Sequence, residues 1–308
     1  MNPIGVYYET WGEKWTSDAS KTILANIRDP VTVVYLSFAS PDTKYASGQK
    51  SFSGTGLSFS LDWSVVVDAI QILKKKNIKV MLSVGGGSYW SSTKKFNAAN
   101  CVNLMNDLGC DGIDIDWEGG ASRDYELTDA IKSLKPLMGD KKISFAGFST
   151  GAFGKDSQDT YKGNAIDAMV KQGSNVDWIN VMAYDAGKNF DPLGAFTAYQ
   201  IYYKGPLLLG FEVGKQGWGD DLLTKDEVVR NCTYVKNQGS QYGIMIWSYQ
   251  KSNDNLTPTT TEVINTAADI FQKPLPPTPT PVPVLTKLPA SWKVICPNCQ
   301  RISDITIS

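Results

Sequence analysis

The 308-residue chain contains no histidine. This absence excludes Ser-His-Asp and Cys-His catalytic arrangements, and it excludes zinc sites built on imidazole. Any proton that moves during a reaction must therefore use carboxylates, tyrosines, lysines or water. The absence of histidine thus limits the residue types available for proton transfer.

A strong net charge and a long apolar run are also missing. The chain has 30 basic and 31 acidic residues, for a formal charge of -1, so no nucleic-acid or membrane partner is indicated. No apolar run approaches the roughly 18 residues of a membrane span. The chain runs almost directly into an apparent strand and leaves no room for a signal peptide. It is expected either to bypass the usual secretion route or to be extracellular after removal of a leader, so the compartment stays open.

The five cysteines do not suggest a disulfide framework, because their number is odd and a domain of this size needs no cross-links. Cys296 and Cys299 resemble half of a zinc knuckle, but a mononuclear zinc site needs more ligands than these two. Two thiols in a tail are therefore favoured over a metal site. No metal and no cofactor is expected, and we expect a monomer.

Extended apolar runs recur eight times along the chain. They are rich in valine, isoleucine, leucine and aromatic residues, which is typical of parallel strands covered on both sides. The predicted strands are 4–8, 31–39, 78–84, 112–118, 143–148, 178–184, 206–211 and 243–247.

Helix-period stretches lie between several of these runs. The clearest begins after Asp62, a good N-cap, and ends in three lysines that suit the negative end of a helix. The other candidates are 98–108, 125–138, 165–172, 225–237 and 260–271. Alternating strands and helices imply right-handed βαβ units, at about 34 residues per unit. We therefore predict an α/β fold, a (β/α)₈ TIM barrel, over residues 1–272. A doubly wound open sheet is the alternative, but the chain lacks its glycine-rich signature.

The composition changes sharply after the last predicted helix. Six prolines interleaved with threonines lie between 274 and 283, which is typical of an extended spacer. Residues 273–284 are therefore predicted to be a Pro/Thr-rich linker. Residues 285–308 form a short C-terminal tail that is too small for a core of its own and is predicted to be disordered or accessory.

Three carboxylates share one face of the fourth predicted strand. Because side chains alternate along a strand, Asp114, Asp116 and Glu118 point to one side, and the apolar residues between them point to the other. Buried charges are costly, and like charges roughly 6.6 Å apart oppose full ionisation. One member should therefore stay protonated near neutral pH. Glu118 is the best-placed proton donor, because it is nearest the carboxyl end of the strand. A Mg²⁺ or Ca²⁺ site is less favoured, since side chains from one straight strand converge poorly on an ion.

The motif Asp111-x-x-Asp114-x-Asp116-x-Glu118 resembles the signature of glycoside hydrolase family 18, the chitinases and endo-β-N-acetylglucosaminidases. Other segments are similar to motifs of that family and occur in the same order. These segments are 6–11, 83–86, 182–185 and 243–247. The resemblance covers roughly residues 3 to 270 and implies the same (β/α)₈ barrel that the strand count predicts.

The resemblance also implies a retaining mechanism in which the N-acetyl oxygen of the substrate is the nucleophile. Glu118 would be the general acid and base. Asp116 would hold the acetamido N–H, and Asp114 would lie behind it and share a proton. Tyr184 would donate a hydrogen bond to the acetamido oxygen.

Further residues take supporting roles by the same resemblance. Trp247 would form the floor under the sugar, while Tyr7 and Ser83 would support Asp114. Met182 and Asp185 would line the same subsite. Gly86 lies in a run of three glycines that we interpret as a tight turn beside the cleft rather than a phosphate cradle, because no Lys-Ser/Thr follows.

The substrate is expected to be chitin or another oligosaccharide that contains N-acetylglucosamine. The segment between the last two strands is too short for an α+β insertion, which favours an open cleft and endo-type cleavage of chitin. An endo-β-N-acetylglucosaminidase acting on N-glycan cores and a non-catalytic chitin-binding, lectin-like barrel are the alternatives. Gly119 departs from the tyrosine that follows the acid in many chitinases. Trp11, Trp90 and Trp218 follow strand ends and are candidates for sugar stacking.

Overall fold

The structure is a computed structural model that describes residues 2–89, 95–154, 161–219, 221–273, 291–295 and 302–306. It contains two compact units, Met1–Lys273 and Pro274–Ser308. In the second unit, strands Ser291–Ile295 and Ile302–Thr306 pair antiparallel. Trp90, Cys296, Cys299 and linker residues 274–284, for which predictions were made above, lie outside the described residues.

Eight parallel strands form a closed barrel in the first unit, each paired with the next along the chain and the last paired with the first. This architecture confirms the predicted TIM barrel. The strands are β1 (Ile4–Glu9), β2 (Val33–Ala39), β3 (Lys79–Gly85), β4 (Gly112–Asp116), β5 (Lys142–Phe148), β6 (Trp178–Met182), β7 (Leu207–Glu212) and β8 (Gly243–Trp247).

Seven α-helices surround the barrel among the described residues, one after each strand from β2 to β8. They are α1 (Trp63–Lys75), α2 (Ala98–Leu108), α3 (Asp124–Met138), α4 (Ile166–Gln172), α5 (Pro192–Tyr202), α6 (Lys225–Gln238) and α7 (Thr260–Gln272). The connection from β1 to β2 contains two 3₁₀ turns, Thr10–Gly12 and Ala19–Lys21, in place of an α-helix. No described helix combines the length and the apolar character that a bilayer span requires.

Helix α5 was not predicted from the sequence. Its start carries two clear signals, since Asp191 accepts a hydrogen bond from the backbone N–H of Leu193 and Pro192 occupies the first turn. Its interior is apolar on nearly every side, however, so it lacks the one-sided stripe that reveals an amphipathic helix. The prediction failed because it relied on that stripe alone.

The hydrophobic core has two layers. The larger layer lies between the strands and the helices and includes Ile113, Ile115 and Trp117, as the alternation along the fourth strand predicts. A smaller cluster fills the barrel interior around Tyr7 and Tyr35. The carboxylates of β4 therefore face the interior of the barrel, where the site is built.

Two of the outer helices begin with reciprocal capping boxes. In α7, the Thr259 hydroxyl accepts from the backbone N–H of Glu262 (3.1 Å), and the Glu262 carboxylate accepts from the backbone N–H of Thr259 (2.9 Å). Thr224 and Glu227 form the same arrangement at the start of α6. These caps satisfy backbone donors that would otherwise have no partner in the first turn.

Replacing Thr259 by alanine should lower the free energy of unfolding by about 1 kcal/mol, because the cap of α7 is lost. Urea denaturation monitored by circular dichroism measures the change. Asp62→Ala is the matched control, since Asp62 is the N-cap of α1 but its side chain makes no capping hydrogen bond. Equal losses in the two variants would contradict the role given to the Thr259 hydroxyl.

Candidate active site at the carboxyl end of the barrel

A cavity of about 540 Å³ opens at the carboxyl ends of the strands. Eight of the ten residues singled out from the sequence line it, and Asp114 and Ser83 lie beneath it, fully buried. The lining residues among them are Tyr7, Gly86, Asp116, Glu118, Met182, Tyr184, Asp185 and Trp247. The structure therefore brings all ten residues to one end of the barrel.

Asp114 accepts four hydrogen bonds in the barrel interior. Its Oδ2 accepts from the hydroxyls of Tyr7 (2.9 Å) and Ser83 (2.8 Å). Its Oδ1 accepts from the hydroxyl of Ser144 (2.6 Å) and the amide of Asn180 (3.2 Å). Burial raises the pKa of Asp114, and these four donors oppose that shift.

Sequence reasoning identified two of these donors, Tyr7 and Ser83, and missed Ser144 and Asn180. A signal for Ser144 was present, because it is a polar residue inside an otherwise apolar strand. The strand register places Ser83 and Ser144 directly on either side of Asp114. Without the register of the sheet, however, neither new donor could be assigned to a partner.

Asp116 and Glu118 both have raised pKa values. Burial raises the pKa of Asp116 well above its ordinary range, and the charges of Glu118 and Asp114 add to the shift. Burial also raises the pKa of Glu118 to about 7, with a smaller contribution from Asp185, while a hydrogen bond from the backbone of Gly87 opposes the shift. At neutral pH this cavity therefore holds a carboxyl group that can donate a proton.

The phenol of Tyr184 stays protonated beside these acids. Burial raises its pKa well above 10.0, and the nearby charges of Asp116, Glu212 and Glu118 raise it further. The same two causes, burial and the charges of neighbouring acids, raise the pKa of Tyr7. Both hydroxyls are therefore permanent hydrogen-bond donors at the pH of any ordinary reaction.

Aromatic rings form one wall of the cavity around Trp247. Its ring stacks on Phe38 with centroids 5.5 Å apart and meets the edge of Tyr7 at 5.9 Å. Trp11, which is half exposed, also lines the cavity and lies 6.5 Å from Trp247. Trp218 is exposed and is not part of the lining, but its backbone N–H donates to Asp185 Oδ1 (2.9 Å).

The three-glycine segment after β3 forms a tight turn against the cavity. Gly86 has a φ of +82°, and a Cβ on it would lie 2.9 Å from the Phe38 ring. A Cβ on Gly87 would lie 3.1 Å from Glu118 Oε2. Gly119 is constrained in a similar way, because a Cβ there would lie 2.4 Å from the ring of Trp117. The ring of Trp117 therefore leaves no space for a side chain at this position.

Glu212 is a further buried acid that sequence reasoning missed. It ends β7, forms an ion pair with Lys251, and lies next to Asp185. Burial raises the pKa of Glu212 to about 7, although Lys251 opposes the shift. Among the residues that the structure describes, no group of three or more acids or cysteines is arranged to hold a metal ion.

Known proteins resemble this chain in sequence and in fold. The profile of the family "Glycosyl hydrolases family 18" matches residues 3–200. Endochitinase 1 of Metarhizium anisopliae is 27% identical over 216 residues, which are 63% of this chain and only 50% of that protein. A chitinase structure from Pseudoalteromonas aurantia (TM-score 0.61, 22% identity) covers 87% of this chain and 100% of its own. The structure of a fungal endo-β-N-acetylglucosaminidase (TM-score 0.64, 16% identity) covers 88% of this chain and 97% of its own. Both structures share the fold of this chain. With its acidic strand β4 facing the cavity and the family profile spanning most of the barrel, the chain belongs to glycosyl hydrolases family 18.

Proposed function

We propose that this chain is an endo-acting, retaining glycosidase that hydrolyses β-1,4-linked N-acetylglucosamine polymers by substrate-assisted catalysis. It acts as a monomer and needs no cofactor. The observation that carries the proposal is the Glu118 carboxyl, with its pKa near 7, in an open cavity beside Asp116 and Tyr184. Such a group can donate a proton and later accept one at neutral pH.

The sugar at the reaction centre lies on Trp247. An indole face packs well against the C–H surface of a pyranose ring, and Phe38 behind it keeps the indole in place. Met182 and Asp185 line the same cavity and border the subsite. This contact positions the glycosidic oxygen toward Glu118.

Glu118 then protonates the leaving oxygen. Its side chain is half-buried, so the carboxyl reaches the cavity while its environment favours the protonated form. The turn at Gly87 leaves room for this carboxyl, because any larger residue would crowd its oxygen. The proton is therefore available where the bond breaks.

The acetamido oxygen of the substrate attacks the anomeric carbon as the bond breaks. Tyr184 donates a hydrogen bond to that oxygen, since its phenol stays protonated. Asp116 accepts the acetamido N–H, and the single negative charge of the Asp114–Asp116 pair stabilises the positive ring that forms. The nucleophile is thus supplied by the substrate, which accounts for a site in which the acids come from one strand.

Glu118, now a carboxylate, accepts a proton from the water that opens the ring. Two displacements at the same carbon restore the original β configuration. The acid is regenerated for the next turnover.

An endo-β-N-acetylglucosaminidase acting on N-glycan cores would use the same residues, and the likeness in fold to such an enzyme favours it as the second candidate. A chitin oligomer and an N-glycosylated protein assayed side by side separate the two. A lectin-like barrel without catalysis is disfavoured because Glu118 is present. Binding to chitin beads without release of any sugar would favour it.

N-acetylglucosamine hexamer should be cleaved internally, and the new reducing ends should appear first as the β anomer. Proton NMR during digestion resolves the two anomers before they equilibrate. Glucose hexamer is the control and should remain intact, because it lacks the acetamido nucleophile. Initial release of the α anomer, or cleavage of the glucose polymer, would refute the mechanism.

The variant Glu118→Gln should lower kcat by roughly 10³-fold, because one proton donor is removed with little change in shape. Calorimetry should show that the variant still binds the hexamer. The control is Glu212→Gln, a second buried acid whose side chain does not line the cavity. A comparable loss of kcat in the control would contradict the assignment of the acid.

The pH profile should show kcat/KM falling as the pH rises through about 7. The pKa of Glu118 is raised to about 7, so the acid is protonated below that pH and has lost its proton above it. Glu212 has a similar pKa, also about 7, so Glu212→Gln is again the informative control. The alkaline limb should persist in that variant, and its disappearance would assign the limb to Glu212.

A further inference from the structure

A chain of hydrogen bonds crosses the barrel interior beneath the cavity. At the amino-terminal end of β6, Trp178 Nε1–H donates to the Tyr35 hydroxyl (2.7 Å). The Tyr35 hydroxyl donates to Asn180 Oδ1 (3.0 Å). Asn180 Nδ2 donates to the Tyr7 hydroxyl (3.1 Å) and to Asp114 Oδ1 (3.2 Å). Tyr35 and Asn180 are fully buried, so the bonds that these two residues donate have no competition from bulk water.

The hydrogen bonds of this chain can have only one donor-to-acceptor direction. An indole N–H is a donor and never an acceptor, so the oxygen of Tyr35 must accept from Trp178. The phenol proton of Tyr35 is then directed at Asn180, which fixes the carbonyl oxygen of that amide on the Tyr35 side. The amide nitrogen of Asn180 consequently faces Tyr7 and Asp114, and both of its protons are donated toward them.

The donors around Asp114 favour its ionised form. A carboxylate has about four acceptor sites, and Asp114 receives four donors, two on each oxygen. The hydroxyls of Ser83 and Ser144 can rotate, but the amide of Asn180 cannot reverse without breaking its bond to Tyr35. The direction imposed by Trp178 is therefore transmitted to Asp114.

We propose that Trp178, Tyr35 and Asn180 are positioning residues that favour the anionic form of Asp114 in the active enzyme and thereby keep the catalytic proton on the Asp116–Glu118 side of the site. This inference rests on the proposed function for its kinetic consequences. The family resemblance suggested a proton shared between Asp114 and Asp116. The directed hydrogen bonds favour the arrangement of that pair in which Asp114 is the acceptor and Asp116 carries the proton.

The other groups around Asp114 do not supply a competing charge. Six strands present polar groups to the interior near it, and β7 and β8 contribute apolar Leu208 and Met245. The polar groups are Tyr7 on β1, Tyr35 on β2, Ser83 on β3, Asp116 on β4, Ser144 on β5 and Asn180 on β6. Burial, followed by the charge of Asp114, raises the pKa of both tyrosines well above 10.0, so both stay neutral. Asp116 is therefore the neighbour that responds to the charge on Asp114.

The variant Tyr35→Phe tests the chain without touching the cavity. Loss of the Tyr35 hydroxyl frees the Asn180 amide to turn its carbonyl oxygen toward Asp114. A carbonyl oxygen beside Asp114 stabilises the protonated form of that carboxyl group. Since Asp114 must be ionised in the active form, the acidic limb of kcat/KM should move to higher pH. On that limb the variant should be about tenfold slower than the wild type, and at the plateau it should stay within about twofold.

Tyr203→Phe is the matched control, because it also removes a buried phenol hydroxyl. That hydroxyl donates to the carbonyl of Val176 (2.9 Å), outside the barrel interior. Its acidic limb should match that of the wild type. Trp178→Phe provides a second test should Tyr35→Phe fail to fold, and it should move the limb in the same direction. An unmoved limb in a folded variant of either residue would overturn the proposal.

A readout independent of turnover comes from carboxyl ¹³C NMR of protein labelled in its aspartates, with Asp114→Asn to assign the signal. In the wild type the Asp114 signal should be that of a carboxylate at neutral pH, and in Tyr35→Phe it should titrate at a higher pH. A protonated signal in the wild type at neutral pH would overturn the proposal. If the wild-type protein cleaves no sugar, only the proposed function is contradicted. The NMR titration would still decide whether the hydrogen bonds through Trp178, Tyr35 and Asn180 control the ionisation of Asp114.

Discussion

The structure depends on keeping a negative charge inside a closed barrel. An ion buried away from water costs several kcal/mol unless donors surround it, and Asp114 meets that requirement with one donor from each of four strands. The parallel register makes this possible, because it sets Ser83 and Ser144 at the level of Asp114. The rest of the site is arranged above this anion.

The acids of the site are graded by their surroundings. Asp114 is surrounded by donors, Asp116 is buried between two other acids, and Glu118 reaches the open cavity. Because each lies two residues beyond the last, the alternation of one strand sets the three acids at successive depths, and burial raises the pKa of each of them. A single short segment thus places three acids in three different surroundings.

Much of this architecture could be predicted from the sequence. All eight strands were located to within two residues at both ends, because buried parallel strands are nearly continuous apolar runs. The acids of β4 could be assigned to one face by parity. Helix α5 was missed because it is apolar on nearly every side. Ser144, Asn180 and Tyr35 were missed because their partners come from distant strands, and only the three-dimensional register reveals them.

The raised pKa values of the carboxyl groups at the carboxyl end of the barrel have a practical consequence, because the protein has no histidine. When histidine is absent, side chains of ordinary pKa bind or release few protons between about pH 6 and 8. Few other groups therefore contribute to proton exchange in that interval. Glu118 and Glu212 both titrate in it. Proton uptake or release on adding a sugar, measured by calorimetry in buffers of different ionisation enthalpy, therefore comes almost entirely from the mouth of the barrel. The protonation of the site can therefore be followed by calorimetry without a spectroscopic label.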